Sequence, residues 1–187
     1  MAVLPIRITG EPVLHSVAAE VETIDDELRT LVADMVETMH AAPGVGLAGP
    51  QVGVDRRLFV WSWTDEEGVE SSGVAINPTL WIAPMPIDDP TEDDEEGCLS
   101  IPGPREALVR SQAAILEATD LDGERFRIEA TGWLARIFQH EYDHLDGILY
   151  ADRLDHREWK SIEKAIKKAR YGRPGLSWMP GVDDLDS

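Results

Sequence analysis

The stretch Gln139-His140-Glu141-Tyr142-Asp143-His144-Leu145-Asp146-Gly147 constrains this chain more than any other. It contains the pattern H-E-x-x-H. On a helix, His140 and His144 would project from one face one turn apart, so both imidazoles could reach a single divalent ion. Glu141, the next residue, could reach a water held at that ion. Leu134, Ile137, Phe138, Glu141, His144 and Leu145 recur at helical spacing, with Thr131 placed as N-cap and Gly147 as the C-terminal stop. Three residue types alone also fit an ordinary helix carrying two surface histidines.

A metal held for hydrolysis needs a third protein ligand and one open position. One zinc-peptidase pattern continues H-x-x-G-x-x-H from the second histidine. Gly147 is in place for it, but Tyr150 stands where the last histidine belongs. A second pattern takes a glutamate from a following helix, and Glu158 and Glu163 are available there among lysines and arginines. Upstream lies the chain's single cysteine, in Glu96-Gly97-Cys98-Leu99-Ser100. With no partner for a disulfide it is free to serve as a thiolate ligand, or to sit as a small buried hydrophobe. Beside a histidine pair the first use is favoured, a Cys98/His140/His144 set.

The 187 residues suit one domain with a core of its own. A formal charge of −19 repels phosphates at long range and argues against general binding to nucleic acid or anionic membranes. The first ten residues lack a charged segment followed by a long apolar run, and no 18-residue apolar stretch occurs. The expected setting is the cytoplasm, with no membrane contact.

Residues 25–41 are expected as the first long helix. Leu28, Leu31, Val32, Met35, Val36 and Met39 form one apolar stripe, Asp25 caps it and Pro43-Gly44 ends it. His40, near its end, reads as a dipole-favoured histidine, and His15 and His156 as ordinary ones. In Gly44-Val45-Gly46-Leu47-Ala48-Gly49-Pro50-Gln51, three glycines imply a tight turn or a backbone that something must approach closely. A phosphate loop is excluded, because no Gly-Lys-Ser/Thr follows. Residues 57–63 and 73–77 are expected as strands, and 113–119 with 125–130 as a hairpin around Asp122-Gly123. Residues 88–96 hold seven acids and no base, which predicts a solvated loop. A last helix is expected over about 155–170. The order predicts an α+β fold, mainly antiparallel sheets packed around a central H-E-x-x-H helix, with a C-terminal helix. Residues 1–172 would form a single catalytic domain and 173–187 a flexible acidic tail.

Taken together, Gly-Val-Gly-Leu-Ala-Gly-Pro-Gln (44–51), Glu-Gly-Cys-Leu-Ser (96–100) and Gln-His-Glu-Tyr-Asp-His-Leu-Asp-Gly (139–147) closely resemble the three signature motifs of bacterial peptide deformylases, in the family's order. The resemblance extends over about residues 5–170. Gly49 stands where the family more often has alanine, a small-for-small exchange expected to matter little. The acidic run before Glu96 looks longer than in many relatives.

The resemblance implies removal of the formyl group from N-formylmethionyl peptides, the nascent products of bacterial-type translation. It implies one divalent ion on Cys98, His140 and His144, Fe2+ in the working enzyme, with Zn2+, Ni2+ or Co2+ in isolated protein. Water activated at that ion would lose its proton to Glu141, acting as general base and then acid. Gln51 and the Leu99 backbone N–H would face the oxyanion. Val45, Gly46, Gly97 and Arg105 would bind the peptide, and Glu96 would pair with Arg110 behind the ligands. Two other classes stay open on the residues alone: a zinc endopeptidase, disfavoured by Tyr150, and a non-catalytic metal module, which would more often show a fourth protein ligand.

Residues 153–173 carry eight bases (Arg153, Arg157, Lys160, Lys164, Lys167, Lys168, Arg170, Arg173) against three acids, a local excess of five positive charges in an acidic chain. Leu154, Trp159, Ile162, Ala165, Ile166 and Ala169 would supply the buried stripe. The basic face would pair with the protein's own acidic surface or dock on ribosomal RNA where formyl-methionine emerges. A monomer is expected.

Overall fold

The computed structural model describes residues 2–87, 89–183 and 185. In chain order the elements are β1 (Ile6–Arg7), α1 (Asp26–Ala41), β2 (Gly46–Ala48), β3 (Leu58–Thr64), β4 (Glu70–Ile82), β5 (Glu95–Cys98), β6 (Ile101–Ala107), β7 (Ala113–Thr119), β8 (Arg125–Thr131), α2 (Gly132–Leu145), α3 (His156–Ala169) and β9 (Ser177–Trp178). The strands form a five-stranded sheet in the order β2-β3-β4-β7-β8 and two pairs, β1-β9 and β5-β6. The pairings are all antiparallel, so the expected α+β class holds.

The continuous apolar run of β3 is explained by burial on both faces. Alternate residues Leu58 and Val60 join one cluster with Val32, Met35 and Met39 of α1. Phe59 and Trp61 point the other way, into a cluster with Ile137, Phe138 and Leu145 of α2. Period-two alternation thus places one helix on each side of the same strand. Ala75, Ala114, Ala118, Ala130 and Ala135 line the α2 side, and these small residues leave room for the aromatic packing of Trp61 on Phe138, 5.2 Å apart edge to face. Burying a side chain such as Phe138 stabilises the fold by about 1.5–3 kcal/mol. A third cluster, with Leu14, Ile101, Leu108, Tyr150 and Ile162, lies under α3.

α1 begins on the Asp25 cap, whose carboxylate accepts from Leu28 N–H at 2.9 Å. In α2, Thr131 occupies the N-cap position but its side chain makes no capping bond, and Gly147 takes the left-handed conformation (φ 73°) beyond the last turn.

Several expectations need correction. The strand expected to end at Asn77 continues to Ile82, because Asn77 takes a positive φ at a bulge and the strand resumes beyond Pro78. The Asn77 side chain bonds both the N–H and the C=O of Val21, which ties the N-terminal segment to that bulge. The hairpin β5-β6 was not foreseen, and it draws Glu95 and Glu96 out of the expected acidic loop. Asp88 of that loop lies outside the described residues. The tail expected to be flexible from 173 is tied down as far as Trp178, which is 3% exposed and pairs with Ile6. Asp184, Asp186 and Ser187 lie outside the described residues. On α3, Trp159 and Ala169 are exposed rather than buried, and Ile162 carries the packing together with Leu154 and Ile166. Among the described residues, no helix is long and apolar enough to cross a membrane.

Candidate active site

The ligand candidates come from two elements. Cys98 ends β5, and His140 and His144 lie one turn apart on α2. Their donor atoms all fall within 4.8 Å of one another. Cys98 Sγ is 3.3 Å from His144 Nε2, and the two Nε2 atoms are 3.2 Å apart. Around a tetrahedral ion with ordinary Zn–N and Zn–S lengths, neighbouring ligands sit about 3.4–3.6 Å apart. The three side chains therefore fit a divalent ion, and thiolate with two imidazoles is a donor set that binds one.

Glu141 is the second indication. It is buried, and its Oε2 has no hydrogen-bond partner among the described residues. Burial raises its pKa to about 7, with the His140 charge opposing the rise and the Glu96 charge adding to it. Gly46 makes room for this carboxyl: a Cβ there would lie 2.7 Å from Glu141 Cδ. The glycine loop is thus a close approach of backbone to the candidate base. Gly49 also departs from expectation. A Cβ at 49 would meet the Arg56 carbonyl oxygen at 2.6 Å, so alanine would not fit here without a backbone shift.

Behind the ligands lies a web of ions, buried at Glu96, Arg110, Arg136 and Asp143 and open to solvent at Arg153. His140 Nδ1 donates to Glu96 Oε1 at 2.6 Å, which turns Nε2 toward Cys98 and His144. Arg110 grips Glu96 through two bonds (2.6 and 3.1 Å) and reaches Asp143 at 2.6 Å. Arg136 bonds Glu96 (3.1 Å), Asp94 (2.8 Å) and the Leu108 carbonyl (2.7 Å). Arg153 closes the web on Asp143. Burial alone would raise the Glu96 pKa, but the His140 hydrogen bond and the Arg110 charge hold it well below the ordinary carboxylate range. Of this web the sequence motifs mark Glu96 and Arg110. Arg136, Asp143 and the Arg153 contact are not legible there, because a charged residue on a helix carries no local sign of its tertiary partner.

Gln51 is buried, with Oε1 accepting from Ala48 N–H at 2.8 Å. That bond directs Nε2 toward Ser100 Oγ (3.5 Å) and Cys98 Sγ (3.9 Å). Gln51, Val45, Gly46, Glu96, Gly97, Cys98, Leu99, Arg105, His140 and Glu141 all line one cavity of about 310 Å³. Trp63 and Trp133, tilted against one another with ring centroids 6.1 Å apart, form another part of its wall that the sequence motifs do not mark. The structure thus brings together ten of the sequence-derived residues at one opening, with Arg110 and His144 just behind it. Tyr150 stays outside the donor set: its hydroxyl donates to the Pro104 carbonyl at 2.9 Å. Glu158 and Glu163 lie away from it on α3, and His40 is exposed at the end of α1.

Comparison with known proteins points in the same direction. The family model described as polypeptide deformylase matches residues 3–160. Peptide deformylase 2 of Corynebacterium efficiens is 48% identical, over 98% of this chain and 96% of its own length. Peptide deformylase of Mycolicibacterium paratuberculosis is 47% identical, over 97% and 96%. Among solved structures, peptide deformylase from Ehrlichia chaffeensis superposes with a TM-score of 0.77 at 38% identity, covering 90% of this chain and 98% of that one. The enzyme from Legionella pneumophila gives 0.77 at 36%, covering 90% and 96%. With three motifs gathered at one cavity and near-complete coverage of its relatives, the chain belongs to the polypeptide deformylase family.

Proposed function

We propose that Cys98, His140 and His144 hold one divalent ion and that Glu141 relays the proton in the reaction this chain performs as a peptide deformylase, removal of the N-formyl group from nascent peptides. The observation that carries the assignment of roles is the convergence of a thiol, two imidazole nitrogens and a partnerless carboxylate oxygen in one cavity. When bound, the ion supplies Lewis acidity that lowers the pKa of water and polarises the formyl carbonyl. Glu141, a buried carboxylate with one partnerless oxygen beside the ligands, takes a proton from water and returns it to the departing amine. Gln51 Nε2–H and the Leu99 backbone N–H donate to the developing oxyanion. β2 is an edge strand, so the outward backbone groups of Gly46 can pair with the peptide as an added strand, beside Val45, whose carbonyl is held by Ser62 N–H. Gly97 and Arg105 line the same cavity. Glu96 and Arg110 hold the His140 ring and the Cys98 segment in place.

Fe2+ is the working ion in this proposal, held by a thiolate that oxidises with it, so activity is oxygen-sensitive. The test is metal analysis of anaerobically purified protein together with deformylation of a formyl-Met peptide, with casein as a control. Iron content that tracks deformylation, and untouched casein, is the expected result. Activity that is stable in air and follows zinc content would overturn the iron assignment. Casein cleavage would revive the endopeptidase reading.

The enzyme acts in the cytoplasm as a monomeric catalytic domain that runs through Trp178, and α3 docks it near nascent chains. Arg153 is already engaged by Asp143 and Lys167 pairs with Glu163, while Lys160, Lys164 and Lys168 are exposed. Docking by counterion release predicts weak ribosome binding that falls with salt. It should disappear on charge reversal of Lys164, Lys167 and Lys168, with free-peptide turnover unchanged. Co-sedimentation that ignores salt and those substitutions would end this reading.

A further inference from the structure

We infer that Trp178 is a positioning residue for the metal site, acting through the peptide plane between Leu99 and Ser100. The inference rests on the reading of Cys98 as a ligand. Trp178 lies beyond the stretch matched by the family model, 3–160, on the short strand β9 that returns to pair with β1. Its ring packs in the same buried cluster as Ile6, Ile8 and Leu99. Its Nε1–H donates to the Leu99 carbonyl oxygen at 2.9 Å. The opposite end of that same peptide, the Ser100 N–H, donates to Cys98 Sγ at 3.4 Å.

A trans peptide is planar, with C=O and N–H pointing to opposite sides. Holding the oxygen therefore sets the direction of the N–H. The next carbonyl is held too, since Ser100 O accepts from Thr9 N–H at 2.8 Å. Trp178 on β9 and Thr9, two residues beyond β1, thus hold two successive carbonyls of the Leu99-Ser100 turn, and the N–H between them is aimed at sulfur. Hydrogen bonds to a ligating thiolate adjust its donor strength, and such outer partners fix ligand orientation. A plain packing role would account for the burial of the indole. It would not require the Nε1–H to meet the Leu99 carbonyl oxygen.

Trp178→Phe keeps an aromatic ring in the cluster and removes the N–H. The variant and the wild type are loaded with Co2+, whose thiolate charge-transfer absorption reports the Cys98–metal bond directly. The expected result is a shifted charge-transfer band, Co2+ release to a chelator about three- to tenfold faster, and a similar fall in kcat with KM little changed. Wild-type values for the band and for release would overturn the inference, as would a fall in kcat that follows only a fall in Tm. Should the phenylalanine variant lose its Tm, benzothienylalanine at 178, which replaces N–H by sulfur at nearly constant shape, carries the same test with the same two outcomes. Absence of the band from the wild-type protein would instead strike the ligand assignment of Cys98.

Discussion

At the scale of single residues, the division of labour within α2 is testable by removing one function at a time. Glu141→Gln keeps the size of the side chain and removes its proton chemistry. It should retain the metal and lose about 10²–10⁴-fold in kcat. Wild-type turnover with metal bound would exclude the assignment. Cys98→Ser should fail differently, by losing metal first, since a hydroxyl is a poorer donor than thiolate. Glu96 makes a prediction about pH. Its folded-state pKa lies below its unfolded value of about 4.5, because the His140 hydrogen bond and the Arg110 charge outweigh burial. Below that value the unfolded chain binds the proton more readily than the folded one. The stabilisation is therefore complete above about pH 4.5 and is lost as the pH falls further. Urea unfolding from pH 7 to 3.5 should show a steeper acid loss in the wild type than in Glu96→Gln. Parallel curves would contradict it.

At the scale of elements, the acidic stretch before Cys98 divides into two parts with different work. Asp89, Glu92 and Asp93 are exposed, and like charges there repel one another. Asp94 instead receives Arg136 at 2.8 Å and accepts the Thr91 N–H, so it joins the β5-β6 hairpin to α2. Neutralising Asp89, Glu92 and Asp93 together should change stability by no more than about 0.5 kcal/mol. Asp94→Asn should cost about 1–3 kcal/mol, since it weakens a charged bond to a largely buried guanidinium. Denaturation midpoints decide between the two. Equal small effects would mean that Asp94 is as detached as its neighbours. The same comparison explains why a loop was expected: composition reports seven acids in the run, but not that two of them, Asp94 and Glu96, meet arginines.

At the scale of the whole molecule, the ion would act as a tether between elements from distant parts of the chain, β5 and α2. An ion that binds only the folded state raises stability by about 2.7 kcal/mol at a hundredfold excess over its Kd. For a domain of this size that is roughly 5–10 °C in Tm. Chelation should lower Tm by such an amount, and added Fe2+, Zn2+ or Co2+ should restore it. A Tm indifferent to chelator and metal would show that the three side chains do not close on an ion. Glu96→Gln should make the chelated and metal-loaded forms more alike, because a neutral amide oxygen holds the His140 N–H more weakly than the carboxylate does.

Much of the fold and of the site is local, and for that reason legible in sequence. Helical spacing places His140 and His144 on one face, Asp25 caps α1, and Asp122-Gly123 turns the β7-β8 hairpin, since each depends on residues a few positions apart. The tertiary structure decided what distant residues do to one another. It set α1 and α2 on opposite faces of β3, turned the Glu96–Arg110–Asp143 charges into a buried support for His140, and brought Trp178 back beneath Leu99. Periodicity and capping are short-range and can be read along the chain. Desolvation of a charge, or the seating of an indole against one particular carbonyl, is defined only when the packed interior exists.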